Sequence, residues 1–129
     1  MKRTPLIAGN WKMFKTGSQA VETALRLAEL SCDVEDTEIM IAPPFTALAL
    51  VSENIKASKV RVGAQNLFYE KEGAYTGEVS AQMLKGAGVS HVIIGHSERR
   101  LFFGETNEDV NRKIRAALES AISSTEAQR

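Results

Sequence analysis

The sequence predicts an α/β fold with parallel strands, on three observations. Short apolar runs alternate with longer segments of helical period, most of the short runs are apolar on both faces, and no linker or low-complexity insert divides the chain. Strands apolar on both faces suit a sheet covered on both sides, as parallel sheets are. Strand–helix units in succession connect by right-handed crossovers.

The first run, residues 6–9 (LIAG), is followed by a helix over 20–30, where Val21, Ala24, Leu25, Leu27 and Ala28 form an apolar stripe. Thr16, with Gln19 three residues later, supplies a capping-box start. The second run, 39–42 (IMIA), meets the breaker Pro43-Pro44, after which 47–54 (ALALVSEN) reads as a shorter helix. The third, 60–64 (VRVGA), alone alternates polar with apolar. A helix over 80–87 follows, with Gly86 and Gly88 as stop signals. The fourth run, 92–95 (VIIG), leads to a last helix over 108–122. Its apolar residues Val110, Ile114, Leu118 and Ile122 recur every four positions, and Thr106 with Asp109 gives a second box-like cap.

Strand starts lie about 20 to 35 residues apart, the size of a βαβ unit. Two architectures fit: a small open sheet, or part of a (β/α)8 barrel, which usually takes about 250 residues. An open sheet with helices on both faces needs a topology switch, and no glycine-rich GxGxxG turn marks one, which tips the pattern toward the barrel.

Composition narrows the function classes. With 43% apolar and 25% charged residues over 129 positions, the chain reads as one globular domain, neither disordered nor membrane-embedded. Sixteen Lys plus Arg balance sixteen Asp plus Glu, so no global field favours nucleic acid or a membrane surface, and any anion site must be local. One cysteine, Cys32, makes no internal disulfide, and the opening MKRTPLIAGNWK has no secretory apolar core; a cytoplasmic location is expected.

Parallel α/β folds gather their sites at the carboxyl ends of the strands. Those ends read Asn10-Trp11-Lys12, Pro43-Pro44, Gln65-Asn66 and His96-Ser97-Glu98. Taken singly, each polar group has an ordinary structural reading: a solvated lysine, a turn-capping asparagine, an amide that satisfies loop backbone. His91, before its strand at the opposite end, is read as structural. His96 gains weight from its context, since Ser97 can cap a helical turn through 98–101 and place the imidazole at a helix N-terminus, which disfavours imidazolium. Lys12 in the same cleft suits an anionic substrate or a developing enolate. Glu98 reads as the ion-pair partner of Lys12. These are the electrophiles of a proton-transfer site, without a base.

The motifs AGNWKM (8–13), APPFTAL (42–48), AQN (64–66), GAYTGEVSAQML (73–84), VIIGHSERR (92–100) and FGET (103–106) resemble those of the triosephosphate isomerases, in that family's order. The resemblance implies a TIM (β/α)8 barrel, of which residues 1–122 would form about the first four βα units, a half barrel. It implies isomerisation of dihydroxyacetone phosphate and glyceraldehyde 3-phosphate through an enediolate, in glycolysis and gluconeogenesis, with no cofactor or metal. By motif, His96, Lys12 and Glu98 take catalytic positions and Asn10, Trp11 and Lys12 substrate-binding ones. The neutral histidine is already known for this family, so the spacing here adds no independent prediction of it. The resemblance also implies a homodimer, with Thr46, Gln65, Tyr75, Thr76, Gly77 and Arg99 at or near the interface and the loop 68–79 entering the partner.

After Ile122 the polar segment 123–129 (SSTEAQR) does not resemble the family's fifth strand. The family's glutamate base, its lid and its phosphate loops have no counterpart in the motifs found. Little or no isomerase activity is therefore expected of these residues alone. The alternative reading is a non-catalytic (β/α)4 half barrel that self-associates or pairs with a complementary C-terminal half, with Ile7, Ile41 and Ile93 as barrel-facing side chains open to water.

Overall fold

A computed structural model describes residues 2–126. Five strands, β1 (Leu6–Asn10), β2 (Glu38–Ala42), β3 (Arg61–Ala64), β4 (His91–Ile94) and β5 (Ser123–Glu126), pair in parallel in the order of the sequence. The helices are α1 (Gly17–Leu30), α2 (Leu48–Ile55), α3 (Ala81–Gly86), α4 (Ser97–Phe103) and α5 (Asn107–Glu119), and a 3-10 turn, Phe45–Ala47, precedes α2. None of these helices is long and apolar enough to cross a membrane.

Strand order without a reversal puts the crossover helices on one face, and the packing agrees. Successive strand residues point to opposite faces, and residues in parallel register share one. Ile41, Val62, Ala64, Val92 and Ile94 lie on one face in a core with Ala20 and Ala24 of α1, Leu48 and Val51 of α2, Leu84 of α3, and Val110 and Ala117 of α5. The other face carries only a small apolar cluster, Met40, Ala42 and Ile93 with Leu6 against it. The sheet is thus half of a barrel wall, with helices outside and strand side chains inside.

This arrangement corrects the expected orientation of two isoleucines. Ile41 and Ile7 share the helix-side face, and only Ile93 belongs to the inner one. Ile41 and Ile93 are buried. Ile7 is 65% exposed on β1, an edge strand of the sheet.

Residues 123–126 differ from the expectation of a polar tail. They pair with β4 from His91↔Ser123 to Ile94↔Glu126. Their composition hides the strand because backbone pairing to the open edge of β4 selects it, rather than an apolar side-chain pattern. The rest of the expected tail, 127–129, lies outside the described residues.

The helix caps follow the predicted chemistry. Gln19 accepts from the Thr16 N–H at 3.1 Å. Thr106 Oγ1 accepts from the Asp109 N–H, and Asp109 accepts from the Thr106 N–H, at 3.1 and 2.9 Å. In α5 the buried side is Val110, Lys113 and Ala117, while Leu118 is 63% exposed and Ile122 lies beyond the helix. A spacing of four advances 40° per step around a helix of 3.6 residues per turn, so Leu118 has rotated off the face that begins at Val110. A lysine takes its place in the core.

Candidate active site

Three strand ends meet here, and each delivers its side chain by local backbone geometry. Asn10 is the last residue of β1, Gln65 follows β3, and β4 turns at Gly95, whose φ of +83° is a conformation L residues rarely adopt. That turn makes His96 the N-cap of α4. Ser97 is the first helical residue and makes no cap bond, which corrects the capping role expected of it.

The hydrogen bonds around His96 assign its tautomer. The Lys12 N–H donates to Asn10 Oδ1 at 3.0 Å, which fixes the orientation of the amide and turns Asn10 Nδ2 toward His96 Nδ1, 3.3 Å away. An amide nitrogen only donates, so Nδ1 is the acceptor and carries no proton. Nε2 lies 2.6 Å from the Gln65 carbonyl oxygen, an acceptor only, so Nε2 carries the hydrogen. Both ring nitrogens are thereby committed in a neutral imidazole, and the residue is buried at 7% exposure.

Lys12 sits at the open rim. Its Nζ donates to Glu98 Oε1 at 2.6 Å, and both side chains remain substantially exposed. The Lys12 ammonium, with a backbone N–H, holds the Glu98 carboxyl below the usual range. Lys12 has φ +50°, a left-handed conformation that costs a non-glycine residue about 1–2 kcal/mol. Two bonds hold it there: its N–H to Asn10, and its carbonyl accepting from Gln65 Nε2 at 2.8 Å. The same Nε2 donates to the Ala42 carbonyl at 2.9 Å.

The structure therefore brings Asn10, Lys12, Gln65, His96 and Glu98 into one site. Trp11 is at its edge, with its backbone N–H on the Ala42 carbonyl and its indole packed against the helix-side core. The other predicted residues lie outside it. Thr46 is exposed in the 3-10 turn, Thr76 and Gly77 are exposed in the loop after β3, and the Tyr75 ring leans on Phe68 at 4.7 Å. Arg99 lies over the Phe103 ring at 4.7 Å, with Nε 3.6 Å from Glu105.

Sequence reasoning missed a buried ionic group beneath the site. Lys113 Nζ donates to Glu105 Oε1 and, at 2.9 Å, to Asn66 Oδ1, and all three residues are buried. The available signal was the position of Lys113, three residues after Val110 and four before Ala117 on the core side of α5. Among the described residues, no group of three or more His, Cys, Asp or Glu side chains could hold a metal ion.

Comparison with known proteins adds a second line. A sequence model described as triosephosphate isomerase matches residues 5–125. The triosephosphate isomerase of Geobacter metallireducens is 53% identical over 120 residues, covering 93% of this chain and 48% of that protein. That of Citrifermentans bemidjiense is 52% identical with the same coverage. The crystal structure of triosephosphate isomerase from Bartonella henselae superimposes with a TM-score of 0.86 at 38% identity, over 96% of this chain and 51% of that one. The chain spans about half the length of the curated relatives it matches.

Proposed function

This chain belongs to the triosephosphate isomerase family, and on that premise we propose that it supplies the electrophilic half of an isomerase site for dihydroxyacetone phosphate and glyceraldehyde 3-phosphate. The observation that carries the reading is the Asn10–His96–Gln65 arrangement, a neutral imidazole whose one proton is on Nε2, next to the Lys12 cation. A substrate carbonyl oxygen that replaces the Gln65 oxygen at Nε2 receives a hydrogen bond that strengthens as enediolate charge develops. Lys12 supplies positive charge for an anionic substrate, Asn10 fixes the tautomer, and Glu98 sets the Lys12 ammonium. Trp11 anchors the turn that presents Lys12.

By the family resemblance, the general base, lid and phosphate loops belong to the part of the relatives that these residues do not span. A general base contributes about 10²–10⁴-fold, and positioning and water exclusion contribute comparably. The polypeptide of 129 residues is therefore expected to show no turnover in a coupled assay above that of its His96→Ala variant. It is still expected to be stabilised thermally by 2-phosphoglycolate, an enediolate mimic. Turnover above the variant would overturn the inactivity, and a folded chain whose melting point ignores the mimic would overturn the residual site.

A second reading concerns assembly. Met13, Phe14, Phe45, Tyr75, Phe102 and Phe103 are large apolar side chains open to water, which supports a dimer that uses the expected residues Thr46, Gln65, Tyr75, Thr76, Gly77 and Arg99. The exposed edge of β1 supports self-association or a complementary half as the alternative. Light scattering at micromolar concentration checks both, and a monodisperse monomer counts against both. A cytoplasmic location is supported by the free, exposed Cys32 thiol.

A further inference from the structure

Residues 65 and 66 do more than end a strand. The Gln65 amide donates to carbonyls of Lys12 and Ala42, and the Gln65 carbonyl accepts from His96. That carbonyl belongs to the peptide unit whose other end is Asn66, a planar group that moves as one piece. Asn66 Oδ1 is gripped by Lys113 of α5, whose ammonium is buried and paired with Glu105. Glu105 in turn donates its backbone N–H to the Arg99 carbonyl at 3.1 Å, and the Arg99 N–H donates to the His96 carbonyl at 3.1 Å.

We propose that Asn66 and Lys113 are positioning residues for His96: the buried Lys113–Glu105 pair fixes Asn66, Asn66 fixes the plane of the 65–66 peptide, and that plane holds the carbonyl that accepts the histidine Nε2 hydrogen. A buried ammonium with two acceptors is expensive to maintain and contributes little net stability against an apolar replacement of similar volume. Its strict geometry does orient what it touches. One of its two acceptors is one peptide away from the His96 hydrogen bond, and the second reaches the His96 main chain through Arg99. The inference rests on the functional reading above only in calling the histidine a reacting group; the geometric link stands without it.

The chain has two histidines, His91 and His96, which makes the test clean. Long-range ¹H–¹⁵N correlation on histidine-labelled chain reads the tautomer of each ring. In the parent, His96 is expected as a single neutral form with the proton on Nε2. Asn66→Ala leaves the Lys113–Glu105 pair intact and cuts only the link. Asn10 still faces Nδ1, so the proton is expected to stay on Nε2 while the Nε2 signal of His96 shifts as its hydrogen bond to the Gln65 carbonyl loosens, and His91 keeps its resonances. Asn66→Asp, which keeps an acceptor for Lys113, is expected to restore the parent signal. If Asn66→Ala does not fold, the double variant Lys113→Met/Glu105→Leu cuts the same link and removes both charges of that pair together, and the same His96 shift is expected.

An unmoved His96 in a folded variant overturns the proposal. So does a joint shift of both histidines, which marks general loosening. Substrate takes no part in this experiment. A chain that fails to respond to 2-phosphoglycolate therefore counts against the functional reading and leaves the positioning link standing.

Discussion

Asn10 and His96 are 86 residues apart in the chain, and their side-chain nitrogens lie 3.3 Å apart across the mouth of the sheet. The orientation of that contact follows from the Lys12 N–H, which claims the amide oxygen of Asn10 and leaves its nitrogen for the ring. A strained lysine backbone, an amide and an imidazole thus form one unit.

The first prediction follows from that unit. Asn10→Asp replaces the donor facing Nδ1 with a carboxylate oxygen, which can only accept. Each His96 ring nitrogen then faces an acceptor, since Nε2 still meets the Gln65 carbonyl, so a proton on Nδ1 as well as Nε2 is expected, visible as a protonated Nδ1 in the ring ¹⁵N spectrum, and the response to 2-phosphoglycolate is expected to fall. An unchanged tautomer would show that Asn10 does not set it.

Much of this site was legible in the sequence. His96, Lys12, Glu98 and Asn10 stand directly after apolar runs, and a strand end is a place that geometry itself singles out. Lys113 and Glu105 were not legible in that way, because a lysine on a helix reads as solvated until its neighbours Val110 and Ala117 are known to face the core. The strand Ser123–Glu126 was hidden for a different reason: pairing, not apolar pattern, creates it. α4 was visible only as a turn, since Leu101, Phe102 and Phe103 are all exposed and show no amphipathic period.

The end of α5 gives a second prediction. The Ile122 N–H bonds the Ala117 carbonyl and the Ala121 N–H bonds the Leu118 carbonyl, a Schellman end with Ala121 at φ +58° where glycine is usual. The equivalent position after α3 is Gly88, at φ +86°. Ala121→Gly is expected to stabilise the fold by about 0.5–1 kcal/mol, because glycine adopts this conformation without strain at a partly offsetting entropic cost. That is a rise in Tm of about 3 °C. A lower Tm would contradict the assigned backbone.

Breaking the buried pair gives a third. Lys113→Met leaves the Glu105 carboxylate buried with Arg99 as its remaining ion-pair partner among the described residues, and the expected loss is about 3–5 kcal/mol in urea unfolding. The double variant Lys113→Met/Glu105→Leu is expected to recover most of it. A single variant as stable as the parent would show that the pair is not closed from water.

The fourth concerns pH. His91 is buried at the start of β4, where Nδ1 meets Ser90 Oγ at 2.7 Å and Nε2 meets Glu38 Oε1 at 3.2 Å. Burial lowers its pKa below the ordinary 6.5; Glu38 opposes the shift, and Arg61 adds to it. With the folded value depressed, the unfolded chain takes up the proton first, so stability is full above the unfolded pKa and is lost as pH falls through 6.5 toward the folded value. Urea midpoints at about pH 7.5 and about pH 5.5 are expected to differ in that direction. His91→Gln is expected to flatten the difference, and an equal slope in the variant would assign the dependence to other groups.

The central claim is that these residues form the electrophilic half of an isomerase site. Its most direct test is titration of 2-phosphoglycolate into histidine-labelled chain. The expected result is a saturable shift of the His96 Nε2 signal, absent in Lys12→Met, with His91 unmoved. A folded chain whose His96 signal stays fixed up to the solubility of the ligand would contradict the claim.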